Sequence, residues 1–235
     1  KRQLLEVSKH LWRLDWLLQH RIFMLSRWLM LQEAMAFGVW LYFFIVVENA
    51  GGERALALSN IVRQLGAVLF LFVHAFGSAA GTIAANYAGA GKPEWIRPMA
   101  SLALRLCALV LLPFFLCFAL FPSLVLGILT DLPEVISDAK PSFYVMVLAY
   151  ALTTPAYLYF FVIGALGFAK ESFRMTVTAV AAYGVYIAVL NLFTPPTAVY
   201  WTADIVYGLT LWLGVTVVWR RARAAGFRSA AADGF

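Results

Sequence analysis

Charged residues are scarce in this sequence, and so are cysteine and histidine. Only 13% of the 235 residues are charged, against about 25% in soluble domains, while 63% are apolar. This balance excludes a soluble globular domain and a disordered chain. Two cysteines cannot support a disulfide scaffold, and with three scattered histidines they show no metal-ligand spacing. We therefore expect no bound metal and no other cofactor.

Sequence patterns of enzymes are also missing. The sequence contains no G-x-S-x-G or H-E-x-x-H motif, and GAGK (89–92) precedes Pro93 where a phosphate-binding loop needs Ser or Thr. The net charge of +6 does not indicate nucleic-acid binding, because the basic residues lie at the ends of apolar runs. We predict neither an enzyme nor a nucleic-acid-binding protein.

Six apolar runs are long enough to cross a bilayer, for which a helix needs about 20 residues. Short turns rich in glycine, proline, asparagine and aspartate separate them, without the period-two alternation of a membrane β-barrel. The predicted fold class is all-α: a polytopic membrane protein with six transmembrane helices. The runs lie at 22–47, 55–88, 98–122, 141–168, 172–193 and 198–219.

The second run is too long for one straight span. It contains Gly66, Gly77 and Gly81, so we expect either a kink or an extension beyond the membrane.

We divide the chain into three parts. Residues 1–21 have apolar side chains on one helical stripe, typical of an amphipathic linker helix on the membrane surface or packed on the protein. Residues 22–220 form the six-helix transmembrane lobe, and residues 221–235 form a tail. Because the chain begins at Lys1 without a signal peptide, we expect a piece of a longer protein.

Several polar residues lie within apolar runs, where a charge is costly and indicates function. Glu33, next to Gln32, lies near the middle of the first run and is a candidate site for a cation or a proton. In the alternative, structural interpretation, Arg63 neutralises this carboxylate or Asn60 hydrogen-bonds to it.

Other polar positions are weaker candidates for a cavity or an ion pair. Gln64 adjoins Arg63 in the second run, and His74 lies deeper, as a proton relay or as a buried neutral histidine. Asp204 lies near the start of the last run. Eight aromatic residues either line a cavity for flat organic cations or serve only in packing. They are Trp40, Tyr42, Phe43, Phe44, Tyr157, Tyr159, Phe160 and Phe161.

Two long stretches resemble the second half of the multidrug and toxic compound extrusion (MATE) transporters. LQEAMAFGVWLYFFIVVENAGGERALALSNIVRQL (31–65) has a mid-helix glutamate, a glycine turn and an LALSNIVR segment. HAFGSAAGTIAANYAGAGKPE (74–94) continues with a small-residue helix, and GALGFAKES (164–172) is similar to the loop after the fourth helix of that half. The pattern is most similar to a bacterial branch of the family.

The resemblance implies the second lobe of a twelve-helix antiporter that exports organic cations or other amphipathic compounds in exchange for Na⁺ or H⁺. Glu33 matches the family's acidic residue on the first helix of this lobe. Many members carry an aspartate on the fourth helix, where this chain has Ala156. Thr153, Thr154 and Tyr157 are then expected to join Glu33 as neutral oxygen ligands of the coupling ion.

The expected partners are membrane lipids, a small organic substrate, and either a missing amino-terminal lobe or a second copy of this chain. Two alternatives remain open. A flippase for lipid-linked saccharides shares the architecture but needs a cationic cavity for phosphates. A non-transporting fragment or subunit assembles with a partner lobe without its own transport activity.

Lysine and arginine predict the orientation in a bacterial inner membrane. Thirteen of the 18 lie on the side of both termini, and only Arg54 and Lys140 lie on the other side, which predicts cytoplasmic termini. Alkaline phosphatase fused after residue 235 is therefore expected to be inactive, and green fluorescent protein fused there to be fluorescent. After Asp131 the phosphatase fusion is expected to be active and the green fluorescent protein fusion to be non-fluorescent. An active phosphatase at the carboxyl terminus contradicts this orientation.

Overall fold

A computed structural model describes residues 16–224, which form helices joined by short turns. The longest helical run, Trp16–Gly89, is broken at Gly52, whose φ of 69° and ψ of −170° lie outside the helical region. Glycine adopts this backbone conformation far more easily than other residues. We name the two parts α1 (16–51) and α2 (53–89).

The helices α1 and α2 fold back on each other at Gly52. The guanidinium carbon of Arg63 lies 5.4 Å from the ring centre of Phe44. In one straight helix these two residues would lie about 28 Å apart along the axis. The 64-residue apolar stretch Ser26–Gly89 therefore contains two helices that are each long enough to span a membrane.

Six membrane-length helices make up the described chain. Five helical stretches among the described residues are long and apolar enough to cross a membrane, and the break at Gly52 divides the first into two. The predicted all-α, polytopic membrane fold is confirmed. After α2 come a 3₁₀ turn (Pro93–Trp95), α3 (Ile96–Leu120), α4 (Pro122–Leu126), α5 (Pro133–Ala165), α6 (Ala169–Asn191), α7 (Thr197–Tyr200) and α8 (Ala203–Ala224).

Proline and glycine set several of the helix ends. Pro122 and Pro133 are the first residues of α4 and α5, where a missing backbone N–H costs no helical hydrogen bond. Gly167 has a φ of 91° in the turn before α6. These local signals place the turns that the sequence predicts.

Close contact with α2 puts α5 at the centre of the bundle. A Cβ added to Gly77 would come within 2.5 Å of the Phe161 ring, and one on Gly81 within 2.8 Å of the Ala165 Cβ. In lipid, helices associate through such close packing of small residues. As a result 56% of the apolar window of α5 is buried inside the structure, against 17% of that of α3.

The order of these contacts shows which helices run in the same direction. Gly77 meets Phe161, and Gly81, four residues later, meets Ala165, which is also four residues later. The residue numbers of the contacts therefore increase in the same direction on both helices, so α2 and α5 are parallel. Arg54 at the start of α2 forms an ion pair of 2.6 Å with Asp138 at the start of α5. We call this end of the bundle the Gly52 end.

The last helix, α8, also runs parallel to α5. Tyr157 stacks on Tyr207, and further along the two helices Tyr159 contacts Trp212 and Trp219. The chain therefore enters α2, α5 and α8 from the Gly52 end, and α1 runs in the opposite direction.

The kink predicted at the glycines of the second run is wrong. The backbone of α2 stays helical through all three, because they are contact points with α5; Gly66 faces Tyr150 and Met146 there. At about 1.5 Å per residue, α2 is about 55 Å long and exceeds the hydrocarbon thickness of about 30 Å. This length agrees with the other alternative, an extension beyond the membrane.

Parts of two predicted segments lie outside the described residues. These parts are residues 1–15 of the predicted linker helix and residues 225–235 of the predicted tail. Residues 16–21 of the predicted linker helix form the start of α1, which continues without a break to residue 51.

The α2–α5 contact predicts that Gly81→Ala destabilises the protein. The new methyl group would overlap the Ala165 Cβ, and such overpacking costs about 1–3 kcal/mol of unfolding free energy. Gly184→Ala in α6 is the matched control, because no atom lies within 4 Å of a Cβ placed there. Thermal unfolding in detergent is expected to show a lower midpoint for the first variant only. Equal losses in both variants contradict the close contact.

Candidate functional site

Five helices, α1, α2, α5, α6 and α8, enclose a cavity of about 500 Å³. This volume is in the range of small-molecule sites, roughly 300–1,000 Å³. The lining residues are Glu33, Ala36, Phe37, Val39, Trp40, Phe70, Ala149, Tyr150, Thr153, Tyr157, Tyr183, Asp204 and Tyr207.

Helical periodicity explains why these side chains share a wall. Glu33, Phe37 and Trp40 are spaced by four and three residues, so they lie on one face of α1. Asp204 and Tyr207 are spaced by three on α8. Each of these two helices therefore presents one carboxylate to the cavity.

A missing side chain on α8 brings Asp204 to the cavity wall. A Cβ on Gly208 would overlap the side chain of Thr153 on α5. Because Gly208 has none, α8 lies directly against α5 one turn from Asp204. The carboxylate and the Thr153 side chain consequently line the same cavity.

Four tyrosines line the same cavity as Asp204. Tyr157 and Tyr207 stack with ring centres 6.3 Å apart, and Tyr183 meets Tyr207 edge-on at 6.2 Å. Together with Tyr150 they lie close enough to Asp204 to interact with it electrostatically. The wall around this carboxylate thus consists of aromatic faces and hydroxyl groups.

The described lining of the cavity contains acidic side chains and no basic ones. Glu33 and Asp204 are both acidic, and among the described lining residues there is no lysine, arginine or histidine. Within the described side chains, ion pairs form only at Arg54, outside the cavity. Carboxylates attract cations, and aromatic faces bind organic cations through the ring quadrupole. The arrangement can hold a proton, Na⁺ or a small organic cation.

Three of the four residues predicted to bind the coupling ion line this cavity: Glu33, Thr153 and Tyr157. The fourth, Thr154, does not; it is buried, and its hydroxyl donates to the Tyr150 carbonyl at 2.6 Å. The Thr153 hydroxyl also donates to a carbonyl one turn earlier, at 2.8 Å, but its oxygen keeps lone pairs for a ligand.

Among the six further polar candidates, Asp204 lines the cavity and the other five do not. The predicted alternative in which Arg63 neutralises Glu33 is wrong, since Arg63 lies over Phe44 and, among the described side chains, forms no ion pair. The Asn60 amide donates to a carbonyl of its own helix at 3.1 Å, rather than to Glu33.

Gln32, Gln64 and His74 lie away from the cavity. Gln32 is buried, and its side-chain oxygen has no hydrogen-bond partner among the described residues. Gln64 lines a separate, largely apolar cavity of about 710 Å³ between α2, α3 and α4. The His74 ring packs edge-on against Phe161 at 4.9 Å.

Much of the aromatic wall was not predicted from the sequence. Of the eight aromatic residues predicted for a cavity, Trp40 and Tyr157 line it, whereas Tyr150, Tyr183 and Tyr207 were not predicted. The sequence feature that could have predicted these three tyrosines is their position within apolar runs, where each hydroxyl needs a polar environment.

Comparison with protein families gives a match. The model of the MatE family matches residues 30–193, well over half of the chain. This range runs from residue 30 of α1 to just beyond the end of α6 and includes most of the cavity wall, while Asp204 and Tyr207 of α8 lie beyond it. No curated protein and no solved structure matches the chain.

Substitution of the adjacent threonines Thr153 and Thr154 is expected to affect cation binding differently, because only Thr153 lines the cavity. Thr153→Val removes a cavity oxygen and is expected to weaken binding of Na⁺ or tetramethylammonium about three- to tenfold. Thr154→Val removes an equivalent intrahelical hydrogen bond but leaves the cavity unchanged, so it is the matched control. Equilibrium dialysis with the purified chain measures both. Equal affinities in the two variants contradict a role for Thr153.

Proposed function

The chain belongs to the MatE family of transporters, and we propose that it is the second six-helix lobe of a secondary transporter that exports organic cations. Export is driven by antiport of H⁺ or Na⁺ across a bacterial inner membrane, with both termini in the cytoplasm. The observation that carries this proposal is the acidic, aromatic cavity, whose described lining residues include no basic side chain.

The chemistry of the cavity favours positively charged cargo. An organic cation can place its charge near Glu33 or Asp204 and its apolar body against Tyr157, Tyr207 and Trp40. The same carboxylates bind the coupling ion. Because cargo and coupling ion bind to the same two carboxylates, binding of one weakens binding of the other, which is the basis of exchange.

Glu33 is the proposed coupling residue. It is exposed and lines the cavity, and among the described side chains it has no ion-pair partner to neutralise it. Binding of H⁺ or Na⁺ removes its charge, and this loss shifts the equilibrium between outward- and inward-facing packings of the lobe. A proton or Na⁺ from the outer side thereby drives release of the cargo.

The cavity also has an open side. Phe37 belongs to its wall and is nevertheless 75% exposed. In alternating access, a binding site lies between two lobes that rock against each other. We assign this open side to the amino-terminal lobe, or to a second copy of the chain.

A saccharide flippase is the less favoured function. Its phosphate-linked cargo needs arginine or lysine in the cavity. Arg63, the arginine predicted closest to Glu33, packs on Phe44 instead of lining the cavity. Two uncompensated carboxylates would repel such a cargo.

Glu33→Gln is expected to abolish gradient-driven transport. The full chain is reconstituted in proteoliposomes with and without an amino-terminal lobe of the same family, and efflux of a fluorescent organic cation is followed under a pH or Na⁺ gradient. The glutamine amide keeps the side-chain shape but is always neutral, so it can neither take up a proton nor pair with Na⁺. Efflux is therefore expected to fall to the level of empty liposomes.

Glu48→Gln is the matched control, because Glu48 is an exposed glutamate of the same helix outside the cavity. Efflux that is unchanged in Glu33→Gln contradicts the coupling role. Absence of efflux from folded wild-type protein in every lobe combination favours the non-transporting subunit instead.

A further inference from the structure

The second carboxylate of the cavity comes from an unexpected helix. Ala156, where many MATE transporters carry an aspartate, is 1% exposed and packs with Leu211 and Val215 of α8 in an apolar cluster. The cavity-facing positions of α5 are Thr153 and Tyr157, one turn apart. A side chain at position 156 therefore points away from this cavity.

Asp204 occupies the cavity at a different depth from Glu33. Trp40 of α1 and Trp201, just before α8, have ring centres 6.2 Å apart and mark one level. Counted along the chain from this level, Glu33 is seven residues and Asp204 three residues further from the Gly52 end. Asp204 therefore lies nearer the Gly52 end than Glu33.

The groups facing Asp204 form a built polar site. Tyr183 is 2% exposed, lines the cavity, and makes no hydrogen bond with another described residue. Its hydroxyl is free to bind a ligand. Thr153 and Tyr157 of α5 and Tyr207 of α8, which line the same cavity, carry further hydroxyl groups. Glu33 is the other charged group of the wall, and it shares the sign of Asp204.

We propose that Asp204 is a second binding residue for a monovalent cation, supplied by α8 in place of a carboxylate on α5. Tyr183, Tyr207 and Thr153 complete its oxygen ligands. The site is distinct from Glu33 in depth, so the cavity holds two cationic charges, one at each carboxylate. The inference rests on the proposed cation-transport function for its purpose, but the binding itself is measured without transport.

Asp204→Asn is expected to remove one of two cation sites. In the purified full chain, radioactive Na⁺ binding at alkaline pH is measured together with the infrared band of protonated carboxyl groups as the pH is lowered. For a Na⁺ site, the affinity of one of the two sites is expected to fall about tenfold when its charged ligand is lost, while the other site is unchanged. For a proton site, one component of the infrared band is expected to disappear while Na⁺ binding stays absent throughout.

Asp131→Asn in the exposed turn after α4 is the matched control and is expected to behave as wild type in both measurements. Asp204→Glu keeps the charge and is expected to restore the lost signal at least in part. If Asp204→Asn matches wild type and Asp131→Asn in both readouts, the proposal is overturned.

A chemical measurement on the wild-type chain covers the case in which Asp204→Asn does not fold. A hydrophobic carbodiimide is expected to modify Asp204, and Na⁺ or an organic cation to slow this modification, as read by mass spectrometry. Modification that no cation slows overturns the proposal. If cations protect Asp204 in a chain that shows no transport, the cation site is supported and the proposed transport function is rejected. Failure of the cation site and failure of the transport function are therefore distinguishable.

Discussion

Backbone-level contact of α5 with α2 and α8 is the constraint on which the rest of the structure depends. Gly77 and Gly81 let α2 approach α5, and Gly208 does the same for α8. Lipid provides no hydrophobic driving force between helices, so their association relies on such close packing. Three helices that enter from the Gly52 end are held together in this way, and the oppositely directed helices pack around them.

The cavity is a consequence of this arrangement. With α8 held against α5 at Gly208, Asp204 and Thr153 lie on one wall, and α1 supplies Glu33 on the other. A carboxylate within a membrane is costly unless it is paired or hydrated. Here the described lining residues provide tyrosine side chains and no cationic side chain. The positive charge that pairs with the carboxylates therefore has to come from the ligand.

The proposed exchange follows from this charge balance. A cavity with two carboxylates and, among its described lining residues, no basic side chain favours cations over phosphates, and neutralisation of a carboxylate changes the free energy of the packing around it. The family match ends before α8, whereas one of the two carboxylates lies on α8. The cavity therefore combines residues inside the family match with two residues of α8 that lie beyond it.

The sequence alone determined which segments cross the membrane and which residues lie along each one. Apolar length fixes the number of spans, and the resemblance at residues 31–65 was enough to identify the family and to single out Glu33. The tertiary structure decided how each helix is rotated about its axis. Adjacent Thr153 and Thr154 are equivalent in sequence, yet only Thr153 lines the cavity, because packing at Gly208 turns that face of α5 toward α8. The same packing brought Asp204 beside the tyrosines and left Arg63 on Phe44, since rotation depends on contacts between distant residues that apolar periodicity does not specify.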